Sequence, residues 1–101
     1  MPDLTYAPHP LAALPPAVRE PSYPAQILTM AAWVLGQDPA RVVTETGLHR
    51  ALETAAATIV GTLPAVVAET ATLRARAELP PYANASRGEY ALRLRAAVKG
   101  I

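Results

Sequence analysis

Prolines concentrate at the front of this chain and limit what its first quarter can form. Seven of the eleven prolines fall within the first 24 residues. Each proline fixes φ at about −65° and biases the preceding residue towards extended backbone, so no helix interior can run through this segment. We therefore predict an extended, polyproline-like arm over residues 1–22 and a separate helical domain over residues 23–101.

The stretch "SYPAQILTMAAWVLG" predicts the first helix of that domain. Ser22 or Tyr23 can cap its start, Pro24 suits the first turn, and Gly36 is placed to end it. The single tryptophan, Trp33, is expected in the core rather than at an interface. The apolar stripe expected to face the core comprises Ile27, Met30, Ala31 and Val34.

The stretch "DPARVVTETG" repeats the same start and stop signals. It predicts a short helix over residues 38–47, with Asp38 as N-cap, Pro39 at the first helical position and Gly47 as the C-terminal stop. A third helix should begin at Leu48. Pro64 then either kinks that helix or separates it from a fourth one.

The last helix is marked by Ser86 and Glu89, which have the S-x-x-E spacing of a capping box. No segment shows sustained alternation of period two, so no strand is predicted. The fold class expected is all-α, a small bundle of four to five short helices with an extended Pro-rich N-terminal arm.

The composition predicts one small domain with a shallow core. Hydrophobic residues make up 51% of the 101-residue chain, yet there is no Phe and alanine supplies much of that fraction. With no Cys, disulfides, thiolate metal sites and cysteine nucleophiles are excluded, and a cytoplasmic location is the default. No signal peptide or membrane-spanning stretch is recognisable, so no membrane role is expected.

Residues suited to catalysis or metal binding are scattered along the sequence. His9 and His49 are the two histidines, and neither has a second ligand at a recognised metal spacing. The carboxylates occur singly, and Ser22 and Ser86 are predicted to be helix caps rather than nucleophiles. We therefore expect a protein that is not an enzyme and has no catalytic residues, cofactor or metal.

Residues 39–59 partly resemble a helix-turn-helix centred on Gly47. The resemblance covers about a fifth of the chain, and Glu53 stands where the motif requires a buried branched residue. Nucleic acid is therefore a possible partner only in an alternative interpretation. In that alternative the contacting residues are His49, Arg50, Arg93, Arg95 and Lys99.

Charge is distributed unevenly along the chain. Residues 1–73 carry three Arg against six Asp and Glu, a net charge of −3, whereas residues 74–101 carry six Arg and Lys against two Glu, a net charge of +4. Opposite charges at the two ends suit head-to-tail or heterotypic packing of subunits.

These patterns favour a non-enzymatic structural or adaptor subunit of a larger protein assembly, homo- or hetero-oligomeric, located in the cytoplasm or in a virion. A capsid-associated or head-to-tail connecting protein of a phage is one architecture of this kind. The alternatives are a small helix-turn-helix-like DNA-binding regulator and a protein inhibitor of one partner. The apolar residues expected to bind partners are Leu4, Tyr6, Leu11, Leu14, Val18, Tyr23 and Tyr82.

Overall fold

The computed structural model describes residues 22–101, which contain four helices. In chain order these are α1 (Tyr23–Gly36), α2 (Glu45–Val60), α3 (Ala65–Ala77) and α4 (Arg87–Val98). No strand occurs in this part of the chain. The all-α prediction is therefore confirmed for residues 22–101, whereas the predicted arm lies outside the described residues except for Ser22.

The starts of α1 and α4 follow the capping signals in the sequence. The Ser22 hydroxyl accepts a hydrogen bond from the Ala25 N–H at 3.3 Å. At α4 the capping box is complete, because the Glu89 N–H donates to Ser86 Oγ at 3.2 Å and the Ser86 N–H donates to Glu89 Oε1 at 2.9 Å. The hydrogen bond from the Ser86 backbone holds the pKa of the Glu89 carboxyl below its usual value.

The short helix predicted over residues 38–47 is wrong. Residues 37–44 form a loop, and Gly47 lies in the first turn of α2 instead of ending a helix. The N-cap of α2 is Thr44, whose hydroxyl accepts a hydrogen bond from the Gly47 N–H at 3.0 Å. The helix-turn-helix corner expected at Gly47 is therefore absent.

Tertiary pairing explains why this loop is not helical. The Arg87 N–H donates to the Arg41 carbonyl at 2.7 Å, and the Gly88 N–H donates to the Pro39 carbonyl at 3.0 Å. A Cβ on Gly88 would lie 3.1 Å from Pro39 Cβ, so glycine permits this close approach. Because these carbonyls bond to the start of α4, the loop has acceptors for α4 without needing to form a helix.

Pro64 separates two helices rather than kinking one. Helix α2 ends at Val60, and α3 begins at Ala65 directly after Pro64, which takes the N-cap position without a side-chain hydrogen bond. The alternative that the sequence left open is thereby resolved in favour of separate helices.

Helix α1 is the central element of the bundle and packs against α2, α3 and α4. The core is rich in alanine, as the composition predicts. Its largest fully buried side chains are Tyr90, Ile27, Leu28, Leu35, Leu52, Leu94 and Val60.

Candidate functional site

The side of α1 that faces away from the core carries large side chains but no charge. Tyr23, Gln26, Met30 and Trp33 recur at intervals of three and four residues, which places them on one side of a helix. Together with Thr29 they form what we call the outer face of α1, whose Met30 is partly buried and also packs against the core, as its place in the predicted apolar stripe requires. No residue of α1 is charged, so this face lacks the solvated side chains that usually cover an exposed helix.

Trp33 is 59% exposed, so the prediction that it belongs to the core is wrong. It lines an open groove of about 530 Å³ together with Met30 on α1 and Ile59 on α2. The indole was expected inside because large aromatic side chains usually bury most of their area. The positions directed into the core are instead occupied by smaller aliphatic side chains, including Ile27 and Leu35.

Two side-chain hydrogen bonds to the backbone of α1 form at and beside the outer face. The Thr29 hydroxyl donates to the Ala25 carbonyl at 2.9 Å, and Gln37, just past the helix, donates from Nε2 to the Trp33 carbonyl at 3.1 Å. A hydroxyl bonded back to its own helix has used its one donor. The outer face is therefore uncharged, with the polar Gln26 and Thr29 among its aromatic and aliphatic side chains.

The outer face continues onto α3 at the start of α1. Tyr23 is 41% exposed and lines a second open groove with Val66 and Val67, which are also exposed. Arg74 borders this groove on α3. Exposed apolar side chains thus extend from Trp33 along α1 and across to α3.

A second concave surface has the opposite character and gathers three arginines. Arg41 from the loop, Arg50 from α2 and Arg87 from the start of α4 line a groove of about 370 Å³. We call it the arginine groove. Its other lining side chains include the hydroxyls of Thr46 and Thr54, and no carboxylate lines it.

Because Gly47 has no side chain, the Arg87 guanidinium can pack against it in the arginine groove. A Cβ on Gly47 would lie 2.8 Å from Arg87 Nη2 and 3.1 Å from Thr44 Oγ1. The guanidinium therefore packs directly on the backbone of the first turn of α2. Arg87 Nε is buried and has no hydrogen-bond acceptor among the described residues.

The loop between α3 and α4 is tied to α4 by two side chains. The Tyr90 hydroxyl donates to the Pro80 carbonyl at 2.6 Å, and Arg93 donates from Nη1 to the Pro81 carbonyl at 2.9 Å. Burial raises the pKa of the Tyr90 phenol to about 12, although the positive charge of Arg93 partly offsets the rise. Arg93 therefore has a structural partner.

The nucleic-acid candidates from the sequence do not form one surface. Arg50 lies in the arginine groove, whereas the exposed His49 lines a crevice of about 170 Å³ beside Tyr82 on the other flank of α2. Arg95 and Lys99 are exposed towards the end of α4. The sequence could not show that Arg50 would lie with Arg41 and Arg87, because the three are brought together by the pairing of the loop with α4.

Of the predicted partner-binding residues, Tyr23 and Tyr82 are described. Tyr23 is part of the outer face of α1, and Tyr82 is half-buried and packs against the core. Five other predicted partner-binding residues lie outside the described residues: Leu4, Tyr6, Leu11, Leu14 and Val18.

Within residues 22–101 no three His, Cys, Asp or Glu side chains come together as metal ligands. None of the four helices described has both the length and the apolar character needed to cross a bilayer.

Comparison with known proteins finds no matching family, no matching curated protein and no matching solved structure.

Proposed function

We propose that this chain is a non-enzymatic structural subunit of a larger assembly, and that two copies of it meet through the outer face of α1. One observation carries the proposal, namely an uncharged helix that displays Trp33 at 59% exposure. The exposed side of a helix normally carries charged side chains, and exposed aromatic side chains in uncharged surroundings are typical of protein contacts.

A second copy fits this face better than a partner of opposite charge. The face has no charged side chain, so it presents no electrostatic pattern for a charged partner to match. Two copies related by a twofold axis place identical uncharged surfaces together without repulsion between like charges. In an antiparallel arrangement Tyr23 of one copy lies near Trp33 of the other.

The spacing of the outer face suits helix packing. Tyr23, Gln26, Met30 and Trp33 follow the 3-4-3 pattern that helices use when they pack side by side. The stretch from Tyr23 to Trp33 spans roughly 15 Å of helix axis. Val66 on α3, at 76% exposure, extends the contact beyond α1.

The sequence-based predictions of a docking arm and of a virion or cytoplasmic setting are part of the same proposal. Such an arm would give each subunit a second means of contact. The alternative of a DNA-binding regulator loses its sequence basis, because Gly47 lies inside α2 and no helix precedes it in the loop.

Sedimentation velocity of the full chain, measured over a wide range of concentrations, tests the proposal. We expect the wild type to form dimers or larger species, and Trp33→Lys to weaken this association by at least about 30-fold, because a central aromatic anchor is replaced by a charge. Leu92→Lys is the matched control, since Leu92 is 64% exposed on α4. It should associate like the wild type.

Three results would contradict the proposal. If the wild type stays monomeric at every concentration, two copies do not associate through the outer face of α1. Equal dissociation by the two lysine variants would show that the effect is not specific to α1. A monomer whose Trp33 fluorescence becomes more solvent-exposed after Leu11→Ser or Leu14→Ser would show that the arm of the same chain covers the face.

A further inference from the structure

The arginine groove is not explained by self-association through α1. Arg41, Arg50 and Arg87 all line it, and within residues 22–101 only Arg41 is paired with a carboxylate, through its Nε at 3.1 Å from Asp38 Oδ2. Arg50 and Arg87 have no such partner in the same region. Three positive side chains on one groove with no carboxylate in its lining give it a positive potential that favours an anion.

From this cluster we propose that the arginine groove binds a phosphate group. Guanidinium groups present several N–H donors in a planar fork that matches the oxygens of a phosphate. The Thr46 and Thr54 hydroxyls lining the same groove supply further donors. The site would therefore offer both the charge and the hydrogen bonds that a phosphate requires.

Arg87 is positioned before any ligand arrives. Its Nη2 atom packs against Gly47, and its buried Nε atom has no acceptor among the residues described. The protein therefore restrains this guanidinium without neutralising it. A restrained donor loses less conformational entropy when it binds an anion than a freely rotating one does.

The start of α2 adds to the positive potential of the groove. Thr46 and Gly47 belong to the first turn of α2, where the helix dipole favours an anion, although the Gly47 N–H is already bonded to Thr44 Oγ1. Glu45 is also in this turn, but its side chain is exposed and does not line the groove. The dipole is a secondary contribution here, because the three arginines define the site.

A phosphate ester fits this site better than a carboxylate does. A phosphate monoester carries nearly two negative charges at neutral pH, whereas a carboxylate carries one. Arg50 and Arg87 lack anionic partners in residues 22–101, so the groove carries two positive charges that no carboxylate neutralises. These two charges match the nearly two negative charges of a phosphate monoester.

The shape of the site favours a single phosphate over a nucleic-acid backbone. A polynucleotide is bound by cations that follow several successive phosphates. Here Arg93 is bonded to the Pro81 carbonyl, and Arg95 and Lys99 lie towards the opposite end of α4 from Arg87. The three groove arginines therefore line one local site that does not continue along α4. We assign the ligand as a phosphate monoester.

Titration of the ¹⁵N-labelled full chain with inorganic phosphate at constant ionic strength tests this assignment. We expect saturable shifts of the amide signals at residues 44–47 and at Arg87, with acetate binding several-fold more weakly. Arg50→Gln should weaken phosphate binding about tenfold, because it removes a charge-assisted contact from an exposed position. Arg95→Gln, which makes the same charge change on exposed α4 surface, should change the affinity less than about twofold.

Gly47→Ala tests the geometry while keeping every charge. Its Cβ would meet Arg87 Nη2 and displace the guanidinium, so phosphate affinity should fall although all three arginines remain. The amide spectrum outside the groove should stay as in the wild type, which shows that the fold is retained.

Several outcomes would overturn the phosphate site. These are shifts that do not saturate, acetate binding as tightly as phosphate, and unchanged affinity in both Arg50→Gln and Gly47→Ala. Equal losses in Arg50→Gln and Arg95→Gln would show that general surface charge, not the groove, attracts the ion. Short duplex DNA added in a parallel titration would overturn the assignment if it bound more tightly than phosphate and lost affinity equally in both arginine variants.

Discussion

Tyr90 links burial in the core to a measurable dependence of stability on pH. Its side chain is 0% exposed, and its hydroxyl donates to the Pro80 carbonyl at 2.6 Å. Burial raises the pKa of this phenol from an ordinary value of 10.0 to about 12. The folded protein therefore retains the phenol proton over a pH range in which the unfolded chain releases it.

The sign and size of the change in stability with pH follow from the difference between the pKa of Tyr90 in the folded and unfolded states. Because the pKa of Tyr90 is raised in the folded state, its contribution to the free energy of unfolding is fully present below about pH 10. This contribution is lost as the pH rises through about 12. The loss in the free energy of unfolding amounts to roughly 2 to 3 kcal/mol. Tyr90→Phe lacks this titration, but at neutral pH it loses about 1 kcal/mol with the hydrogen bond to Pro80.

The two stability curves should therefore cross. We expect the wild type to be more stable than Tyr90→Phe at neutral pH, the two to be equal near about pH 11, and the variant to be more stable above that pH. Urea denaturation followed by circular dichroism at a series of alkaline pH values measures both curves. Tyr23→Phe, measured at concentrations where the chain is monomeric, changes an exposed ring and controls for general alkaline effects.

The reasoning would be refuted if the Tyr90→Phe and wild-type curves stayed parallel from neutral to strongly alkaline pH. Parallel curves would mean that the phenol titrates alike in the folded and unfolded states, so that its burial has no electrostatic cost. A crossing in Tyr23→Phe as well would remove Tyr90 as the cause.

Three further predictions concern the fold. Ser86→Ala should lower the free energy of unfolding by about 1 kcal/mol, measured by urea denaturation, because it removes the cap of α4. Leu52→Ala should cost about 2 to 4 kcal/mol because Leu52 is fully buried, and a cost within about 0.5 kcal/mol would contradict its place in the core. Gly36→Ala, which meets nothing within 4 Å, should raise the melting temperature, whereas Gly61→Ala would meet the Ala57 backbone and should lower it.

The helices of the bundle could be predicted where their signals are local. The Ser22 cap with Pro24 in the next turn, and the Ser86 to Glu89 capping box, each involve residues within a few positions of one another. The stop at Gly36 is of the same kind. Hydrogen bonds over such short separations depend little on the rest of the fold, so the sequence alone is informative about them.

The loop over residues 37–44 could not be predicted because its partner is distant in sequence. Asp38 and Pro39 form a valid helix start, but the carbonyls of Pro39 and Arg41 bond to the start of α4, more than forty residues later. Thr44 then caps α2 in place of a stop at Gly47. The arginine groove depends on this pairing, so it could not be predicted either.

The exposed Trp33 on the outer face of α1 is not explained by the needs of the fold. Helix α1 already buries Ala25, Ile27, Leu28, Ala31, Ala32 and Leu35, which supply its contacts with the other helices. A helix with its core face complete folds equally well with lysine or glutamate on the opposite side, and surface changes of that kind usually alter stability by less than about 0.5 kcal/mol. Trp33→Lys therefore separates two explanations of the tryptophan. If its role is contact with a second copy, the monomer should unfold at the same urea concentration as the wild-type monomer while association is lost. If its role is to support the bundle, the monomer itself should be destabilised, and an interface on α1 would no longer be needed to account for it.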